Sequence, residues 1–404
     1  MRVLTFTSLF PNAKQPLLGI FIYQRLAHLA KRAGSVVEVV APVPYFPSWI
    51  HGTRWSEFGQ IPKEERIGDL VVYHPRYPLL PKISMPLQGL LMFLGSFLLV
   101  LRLHKRKNFH CIDVHYVYPD GFAGVLLGKL INRPVIVSAR GTDMNLFPKF
   151  RLIRPMIRWT VRQSEGLVGV CTALKDAMVE LGAPPAKVAV IGNGVDVKRF
   201  KPLDRQAARR VLKLPEEAQI IVSVGALIPR KGYQYLIPAI AELVPGHPTV
   251  HLYVVGEGDF RPELEELARK LGVQDRVFLV GTRPNEELSD WYSAAEVSCL
   301  VSSREGWPNV LLESMACGTP VVATRVWGVP EVIVSPELGI MVNQNSQEIA
   351  AGLERALRTA WDREALVRHA STRTWEVVAE EVERFLAARS SVLREPPEAA
   401  GSGW

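Results

Sequence analysis

The chain has 404 residues, of which 48% are hydrophobic and 22% are charged, and this length and composition predict two globular domains of ordinary size. The net charge of +8 is divided unequally, because residues 1–195 carry a net +13 and residues 196–404 a net −5. The basic half suits an anionic membrane surface or a phosphate-bearing ligand, and the lack of helix-turn-helix, zinc-finger or single-strand-binding signatures argues against nucleic acid.

Short apolar segments alternate with helical patterns along the chain. In the first half, strands are predicted over 3–6, 36–40, 71–74, 112–115, 135–138, 168–170 and 188–191, and helices over 19–33, 121–130 and 173–181. In the second half, strands are predicted over 220–224, 250–255, 277–279, 297–301 and 320–323, and helices over 235–243, 261–271, 285–294 and 310–317. Repeated βαβ units predict parallel sheets covered on both faces. Two such blocks, joined near 194–218, predict two doubly wound domains.

Two glutamates, Glu305 and Glu313, frame the most informative segment, which follows a predicted strand. A glycine and a proline after the first glutamate indicate a tight turn, and a helix is predicted from Val310 onwards. The backbone N–H groups near Asn309 and Val310 then fall at a helix N-terminus, where an anion is favoured. Phosphate on these groups and sugar hydroxyls on the carboxylates would suit a nucleotide-sugar. A solvated glutamate followed by an incidental helical one gives the same pattern.

Two segments of the basic half are candidates for membrane contact. Residues 87–101 are strongly apolar and precede a basic cluster, but the run is shorter than the about 18 residues that a spanning helix needs, so we expect a buried or interfacial helix. Within 148–164, arginines recur at helical spacing at positions 151, 154, 158 and 162, as in an interfacial amphipathic helix. A core-packed helix with a solvated basic face is the alternative.

Further short motifs are spread along the whole chain. In order they are Asp113-Val114-His115, Pro119-Asp120-Gly121, Gly141-Thr142-Asp143, Ile191-Gly192-Asn193-Gly194-Val195-Asp196, the segment 224–232 ending in Lys231-Gly232, Val255-Gly256-Glu257-Gly258, Glu305-x7-Glu313 and Trp375-Glu376. Together they resemble the retaining glycosyltransferases of family 4, over residues 3 to about 390. The resemblance implies an α/β fold of the GT-B type, with two facing doubly wound Rossmann-like domains and an interdomain cleft.

The resemblance also implies the domain limits. Residues 1–195 should form an N-terminal acceptor-binding domain, and 196–374 a C-terminal domain that binds the nucleotide-sugar donor. A C-terminal helix over about 375–393 should pack back on the first domain. The small polar tail over 394–404 is predicted to be disordered.

Several donor contacts follow from the resemblance. Glu305 should contact the transferred hexose, and Glu313 should accept hydrogen bonds from the ribose hydroxyls. The N–H groups from Gly306 to Val310, including that of Asn309, should help to hold phosphate and sugar hydroxyls.

The donor diphosphate is expected at Lys231, whose ammonium would neutralise the charge that develops on the leaving nucleotide. Ala226 stands where many family members have an arginine, and Arg230 either compensates for that change or is only solvated. Gly19 resembles the glycine of the loop after the first strand, where the backbone could approach a diphosphate closely; the alternative is a plain helix start.

The remaining implied residues lie in the first half. His115 matches a histidine expected near the reacting side of the sugar, and with Glu305 and Lys231 it completes the predicted catalytic set. Arg140, an expected acceptor contact, stands where the family often has histidine, and an arginine there could bind a phosphate. Asp143 is either a second acceptor contact or an N-cap. The turn at 327–331 carries a tryptophan where glycine is frequent, and we place it outside the site.

The implied function is retaining transfer of a hexose from a nucleoside-diphosphate sugar, with a UDP-sugar favoured, to a hydroxyl of a polysaccharide or lipid-linked acceptor in cell-envelope or exopolysaccharide synthesis. No D-x-D pair occurs, so we expect no metal and no cofactor. The four cysteines are scattered, so we expect buried thiols in a cytoplasmic protein. We expect that protein to be peripheral at the inner face of the plasma membrane. A GT-B nucleotide-sugar epimerase or hydrolase, and a non-catalytic sugar-nucleotide-binding subunit of a polysaccharide assembly complex, are the rival functions.

Overall fold

The computed structural model describes residues 1–46, 56–79 and 84–390. Its described residues divide into two compact units: 1–193 with 375–390, and Gly194–Thr374. The division falls within two residues of the boundary expected after residue 195, and the C-terminal helix returns to the first unit. The tail predicted to be disordered lies outside the described residues.

The first unit is built on an eight-stranded sheet with the strand order β10-β9-β8-β7-β1-β2-β5-β4. All neighbouring strands in it are parallel except β4 and β5, which form an antiparallel hairpin at one edge. A separate two-stranded pair joins β3 and β6. The strands are β1 Arg2–Phe6, β2 Val36–Val40, β3 Val43–Pro44, β4 Glu64–Ile67, β5 Leu70–Tyr73, β6 Arg76–Tyr77, β7 Cys111–His115, β8 Val135–Ala139, β9 Gly166–Gly169 and β10 Val188–Val190.

Helices cover this sheet, and most of them follow a strand directly, as expected of βαβ units. They are α1 Ile20–Ala30, α2 Ser56–Gln60, α3 Gln88–Lys107, α4 Phe122–Ile131, α5 Thr142–Asn145, α6 Arg154–Gln163 and α7 Thr172–Glu180. Strands β7 and β8 are buried at every residue, because helices cover both of their faces. The crossover connections bring the carboxyl ends of the parallel strands to one edge of the sheet.

The second unit holds a six-stranded parallel sheet with the order β13-β12-β11-β14-β15-β16. The strands are β11 Gln219–Val224, β12 Val250–Val255, β13 Val277–Gly281, β14 Val297–Leu300, β15 Val321–Thr324 and β16 Gly339–Val342. The helices are α8 Arg205–Leu212, α9 Tyr233–Leu243, α10 Arg261–Lys270, α11 Leu288–Ala294, α12 Asn309–Ala316, α13 Val329–Val332, α14 Ser346–Arg358 and α15 Arg363–Ser371. Adjacent central strands β11 and β14 are separated in sequence, so the strand order reverses there, which marks the ligand-binding edge of such sheets.

The last helix, α16 Trp375–Ala387, belongs to the first unit and packs against α1. Its apolar stripe, Val378, Val382 and Leu386, recurs every four residues and is fully buried in the same core cluster as Ile22 and Leu26 of α1. Burial of each such side chain contributes about 2 kcal/mol. The predicted return of the C-terminal segment to the first half thus follows from one amphipathic helix.

Helix α3 differs from its expected length. The helix continues beyond the apolar run and through the basic residues to Lys107, so it has 20 residues. One face buries Met92, Val100 and Leu103. Among the described residues, the segment 85–107 is the one helix long and apolar enough to cross a membrane, with a mean hydropathy of 1.7 and 28% of the window buried. A core helix of a soluble protein passes the same test, so this finding alone assigns no spanning segment.

Candidate active site

The first cluster lies at the carboxyl edge of the second sheet, where β11 and β14 end side by side. After β11 the chain forms a short 3-10 turn, Pro229–Lys231, and enters α9 through Gly232, which has a φ of +79°. A Cβ at Gly232 would lie 2.1 Å from the carbonyl oxygen of Val301, just beyond β14. Only glycine lets the two strand-end loops approach so closely. This approach brings Lys231 to the loop that carries Glu305.

Lys231 and Glu305 form the centre of this cluster. The Lys231 Nζ donates to Glu305 Oε1 over 2.6 Å, and the hydroxyl of Ser302 donates to the same oxygen over 2.6 Å. The two charged side chains are 14% and 11% exposed. A half-buried ammonium with two remaining N–H donors can still accept an anion, so the pair can hold a phosphate beside a carboxylate.

Arg230 lies in the same cluster, and its side chain is 39% exposed. Its Nη1 donates to the carbonyl of Arg304 over 2.7 Å and lies 3.7 Å from Glu305 Oε1. Ala226 is exposed on the adjoining loop. The guanidinium of Arg230 therefore lies beside the ammonium of Lys231, at the end of the loop on which Ala226 replaces the family's arginine. A phosphate contact of Arg230 stays a prediction.

Helix α12 supplies the next part of the cluster. It begins at Asn309, one residue before the predicted start, and ends before Gly318, whose φ is +73°. At its N-terminal end, the N–H of Asn309 donates to the carbonyl of Trp307 over 3.1 Å and that of Leu311 to the carbonyl of Pro308 over 3.0 Å, whereas an α-helix offers no carbonyl four residues back to the N–H of Val310. Asn309 is 4% exposed, and its Nδ2 donates to the carbonyl of Gly194 over 3.2 Å. Gly306 lies on the preceding loop and is partly exposed.

Glu313 lies one turn into α12 and is 7% exposed. Its Oε2 accepts a hydrogen bond of 3.1 Å from the hydroxyl of Tyr292, a fully buried residue of α11. Burial raises the pKa of Glu313 to about 7, and the hydrogen bond from Tyr292 opposes that rise. An oriented carboxylate in so dry a setting suits the recognition of hydroxyl donors.

The second cluster lies at the carboxyl edge of the first sheet. His115 ends β7 and is fully buried, and Arg140 follows β8 directly. The Arg140 Nη2 lies 2.6 Å from His115 Nδ1, and Nη1 donates to Asn193 Oδ1 over 3.1 Å. The other ring nitrogen of His115 lies 3.2 Å from Asp113.

Burial and neighbouring charges determine the protonation states of His115 and Asp113. Burial lowers the pKa of His115 to about 3, so the ring is neutral at pH 7. Burial raises the pKa of Asp113, but Arg25, 3.3 Å away, and His115 outweigh this and hold it at about 2. Because Arg140 donates to Nδ1, the ring proton is on Nε2, facing Asp113. With Nδ1 accepting from Arg140 and the proton on Nε2, the imidazole has no lone pair left for a substrate proton, which revises the expected direct catalytic role of His115.

The structure also corrects the expected role of Asp143. This residue is fully buried, and its carboxylate accepts from the backbone N–H groups of Val117, Arg140 and Gly141 over 2.8 to 3.3 Å. Burial raises its pKa. Its oxygens therefore organise the loop after β8 and are not offered to an acceptor.

Gly19 starts α1 with a φ of +62° and no side-chain cap. A Cβ there would lie 2.1 Å from the carbonyl oxygen of Leu9. A glycine is thus required at position 19 because the backbone of Leu9 lies so close, which matches the alternative of a plain helix start. A contact with the diphosphate stays a prediction.

Sequence reasoning missed several residues of these clusters. Ser302, Tyr292 and Asn193 hold Glu305, Glu313 and Arg140 respectively, and no spacing rule signals such contacts between distant segments. The turn at 327–331 is predicted to lie outside the site, yet the N–H of Gly328 donates to the carbonyl of Glu305 over 3.3 Å. Trp327 has a φ of +45°, which accounts for the glycine expected there.

Among the described residues, no group of three or more His, Cys, Asp or Glu side chains is placed to hold a metal ion. The expectation of metal-free action stays a prediction.

Two family descriptions match the chain. "Glycosyltransferase Family 4" matches residues 20–199, and "Glycosyl transferases group 1" matches residues 204–373. The two matches follow the two compact units closely.

Curated relatives cover part of the chain. A D-inositol 3-phosphate glycosyltransferase of Kribbella flavida is 38% identical over 213 residues, which is 49% of this chain and 50% of that protein. One of Streptosporangium roseum is 33% identical over 258 residues, 60% of this chain and 59% of that protein. The chain spans about half the length of the curated relatives it matches.

Solved structures share the fold over nearly the whole chain. Sucrose-phosphate synthase from Thermosynechococcus elongatus has a TM-score of 0.79 at 21% identity and covers 96% of this chain and 99% of its own. The Anabaena protein HepE, solved in complex with UDP and glucose, has a TM-score of 0.69 at 20% identity and covers 96% of this chain and 100% of its own. These likenesses concern the fold alone.

Proposed function

Because the chain belongs to glycosyltransferase family 4, with the GT-B fold, we propose that it transfers a hexose from a nucleoside-diphosphate sugar to an acceptor hydroxyl with retention of anomeric configuration. The observation that carries the proposal is the Lys231–Glu305 contact of 2.6 Å at the edge where β11 and β14 end. It joins a cation for phosphate to a carboxylate for sugar, next to the first N–H groups of α12.

The proposed division of labour in the second unit follows the contacts. Lys231, with Arg230 beside it, binds the diphosphate; Glu305 binds the hexose; and Glu313 binds the ribose. Gly306, Asn309 and Val310 hold phosphate and sugar hydroxyls through the start of α12. UDP is the favoured nucleotide, and this is supported by the UDP complexes of the structurally similar HepE.

In the proposed reaction the bond between the anomeric carbon and the diphosphate oxygen breaks, and the acceptor oxygen bonds to that carbon from the same side. The acceptor proton passes to an oxygen of the departing phosphate. Lys231 stabilises the charge that develops on the leaving group, and such preorganised cations typically contribute about 3 kcal/mol. No metal is required by this scheme.

The test is transfer by purified protein with UDP-, GDP- and ADP-hexoses, first ranked by thermal shift. Lys231→Ala and Glu305→Gln should each lower kcat/KM by about a hundredfold or more while leaving the fold intact. Lys270→Ala is the matched control, since this lysine is exposed on α10 of the same unit. Near-normal transfer by either site variant would remove the assignment.

The same assay separates the rival functions. An epimerase or hydrolase would change or release the sugar without an acceptor, whereas a non-catalytic subunit would bind the nucleotide-sugar and leave it unchanged. Product analysis by mass spectrometry with and without acceptor distinguishes all three.

The acceptor and location are the finer part of the proposal: a polysaccharide or lipid-linked sugar at the inner face of the plasma membrane, in cell-envelope or exopolysaccharide synthesis. Two surfaces of the first unit support it. On α3 and the residue before it, a leucine ridge formed by Leu87, Leu90, Leu94 and Leu98 is 42–56% exposed. On α6 and the residues before it, a basic face is formed by Arg151, Arg154, Arg158 and Arg162.

These two surfaces belong to the same layer. Phe122 of α4 contacts the ring of Trp159 on α6 at 5.0 Å between centroids, and it also lies against Gly89 of α3. Apolar side chains flanked by cations favour an anionic bilayer surface. Vesicles with anionic lipid should therefore retain the protein, and Leu94→Ser with Leu98→Ser should weaken retention more than Leu271→Ser, an exposed leucine of the second unit. Equal binding to neutral vesicles, or none to anionic ones at low salt, contradicts the membrane proposal.

A further inference from the structure

Arg140 has an unusual set of partners for a largely buried cation. Its two side-chain hydrogen bonds go to His115 and Asn193, and both of these groups are neutral. Among the described residues, its guanidinium makes no ion pair within 4.0 Å. Its Nε is buried and has no hydrogen-bond partner in that part of the chain.

The nearby carboxylates are already engaged. Asp113 is shared between Arg25 and His115, and Asp143 uses its oxygens on backbone N–H groups. Burial and the neighbouring Arg25 lower the pKa of Arg140 to about 9, although the charges of Asp113 and Asp143 oppose this, and the group is still charged at neutral pH. A largely buried charge without a directly paired counter-ion is costly, and its retention is explained when a ligand supplies that counter-ion.

The guanidinium is also held in one orientation. The Nδ1 of His115 accepts from Nη2 and the Oδ1 of Asn193 accepts from Nη1, so two of the five N–H donors are fixed. The Nε–H is buried, which leaves one N–H on each of Nη1 and Nη2 available to a ligand. Behind His115, the Asp113–Arg25 pair fixes the ring tautomer that can accept from Arg140. The remaining N–H donors of a planar guanidinium held in this way match the spacing of two phosphate oxygens.

We infer that Arg140 binds an anionic group of the acceptor, a phosphate or diphosphate, and that His115 and Asp113 are positioning residues for that contact. The inference rests on the proposed function, because the carboxyl edge of the first sheet is taken as the acceptor side. Two sources share this chemistry: a phosphorylated sugar or polyol, and the phosphate that links a sugar to a lipid.

The first experiment measures inorganic phosphate binding by thermal shift at constant ionic strength, in the presence of saturating UDP so that the donor site is filled. The wild type should be stabilised by phosphate, and Arg140→Met should bind it about tenfold more weakly or not at all. Arg66→Met, at an exposed arginine of β4, is the matched control and should respond like the wild type. An equal response in Arg140→Met overturns the inference.

The free proteins give a second readout. Without ligand, Arg140→Met should melt at the same temperature as the wild type or higher, because it removes a buried charge that lacks a counter-ion. If Arg140→Met melts at a lower temperature because it misfolds, Arg140→Gln is measured in its place. The same loss of phosphate binding is expected for Arg140→Gln.

The positioning role is tested with two replacements of His115. His115→Gln retains an acceptor for the Arg140 N–H and should keep phosphate binding within about threefold of the wild type, whereas His115→Leu should lose it. Equal phosphate affinity in both variants would show that the imidazole has only a packing role.

Transfer kinetics then identify the source of the anion. Arg140→Met should raise the KM for a phosphorylated acceptor about tenfold and leave the Kd of UDP unchanged. Preference for a sugar phosphate over the free sugar indicates a soluble acceptor, and preference for a short-chain prenyl diphosphate sugar indicates a lipid-linked one. A changed UDP affinity with an unchanged acceptor KM overturns the inference, whereas absence of transfer from UDP-, GDP- and ADP-hexoses by the wild type refutes the proposed function instead.

Discussion

Replacement of Tyr292 by phenylalanine tests how the proposed ribose-binding carboxylate is oriented. Tyr292 is fully buried, and its hydroxyl donates to Glu313 Oε2 over 3.1 Å. The substitution removes that one hydroxyl and leaves the aromatic ring in its packing. We expect weaker nucleotide binding without loss of the fold.

Two effects set the size of the change. Without the Tyr292 hydroxyl, the Glu313 side chain must be ordered when the nucleotide binds. This ordering costs about 1 kcal/mol of binding free energy, which is about fivefold in Kd. The lost hydrogen bond also opposed the effect of burial, which raises the pKa of Glu313 to about 7. In the variant this pKa should lie higher, so that more of the carboxyl group is protonated and unable to accept from a second hydroxyl donor.

Calorimetric titration of a ribonucleoside diphosphate and its 2′-deoxy form, from pH 6 to pH 8.5, measures both effects. The wild type should prefer the ribo form, with affinity falling as the pH decreases through about 7. Tyr292→Phe should reduce that preference and move the midpoint to higher pH. Tyr235→Phe, at a residue 38% exposed on α9, is the control. An unchanged preference, or a midpoint moved to lower pH, refutes the reasoning.

Two further changes test the second unit. Glu313→Gln should stabilise the protein at pH 8 but not at pH 4, because the folded state keeps the Glu313 proton up to about pH 7 while the unfolded chain releases it near 4.5, so wild-type stability falls across that window by on the order of 3 kcal/mol. Chemical denaturation at both pH values measures it, and equal effects at both would contradict the assignment. Gly232→Ala should cost about 3 kcal/mol and weaken donor binding, since its Cβ would meet the Val301 carbonyl at 2.1 Å. Gly272→Ala has a similar φ of +68° with nothing within 4 Å, so it should cost only about 1 kcal/mol, and equal losses would argue against the close approach.

Much of the fold could be predicted because its signal is local. Strands such as Val36–Val40 and Val250–Val255 were placed to the residue, since each is a short β-branched run bounded by polar or turn-forming residues. The hairpin strand β4 and the helix α8 were missed, because each is short and carries three charged residues, which leaves few apolar positions to mark it.

The candidate site divides in the same way. The sequence by itself determined which residue types stand at strand ends: Lys231 before a glycine, Glu305 before a helix start, and Arg140 directly after a strand. These follow from chain order alone, because in parallel sheets the loops after the strands share one edge.

Only the tertiary structure decided which of these side chains are free to meet a ligand. It placed Ser302 and Lys231 on one oxygen of Glu305, used the oxygens of Asp143 on the backbone, and put His115 between Asp113 and Arg140. Such partners come from strands and loops that are distant in sequence, and their protonation depends on burial, which no local pattern contains. The physical reason for the division is thus that backbone patterning is a short-range property, whereas the availability of a lone pair or an N–H donor depends on every group packed around it.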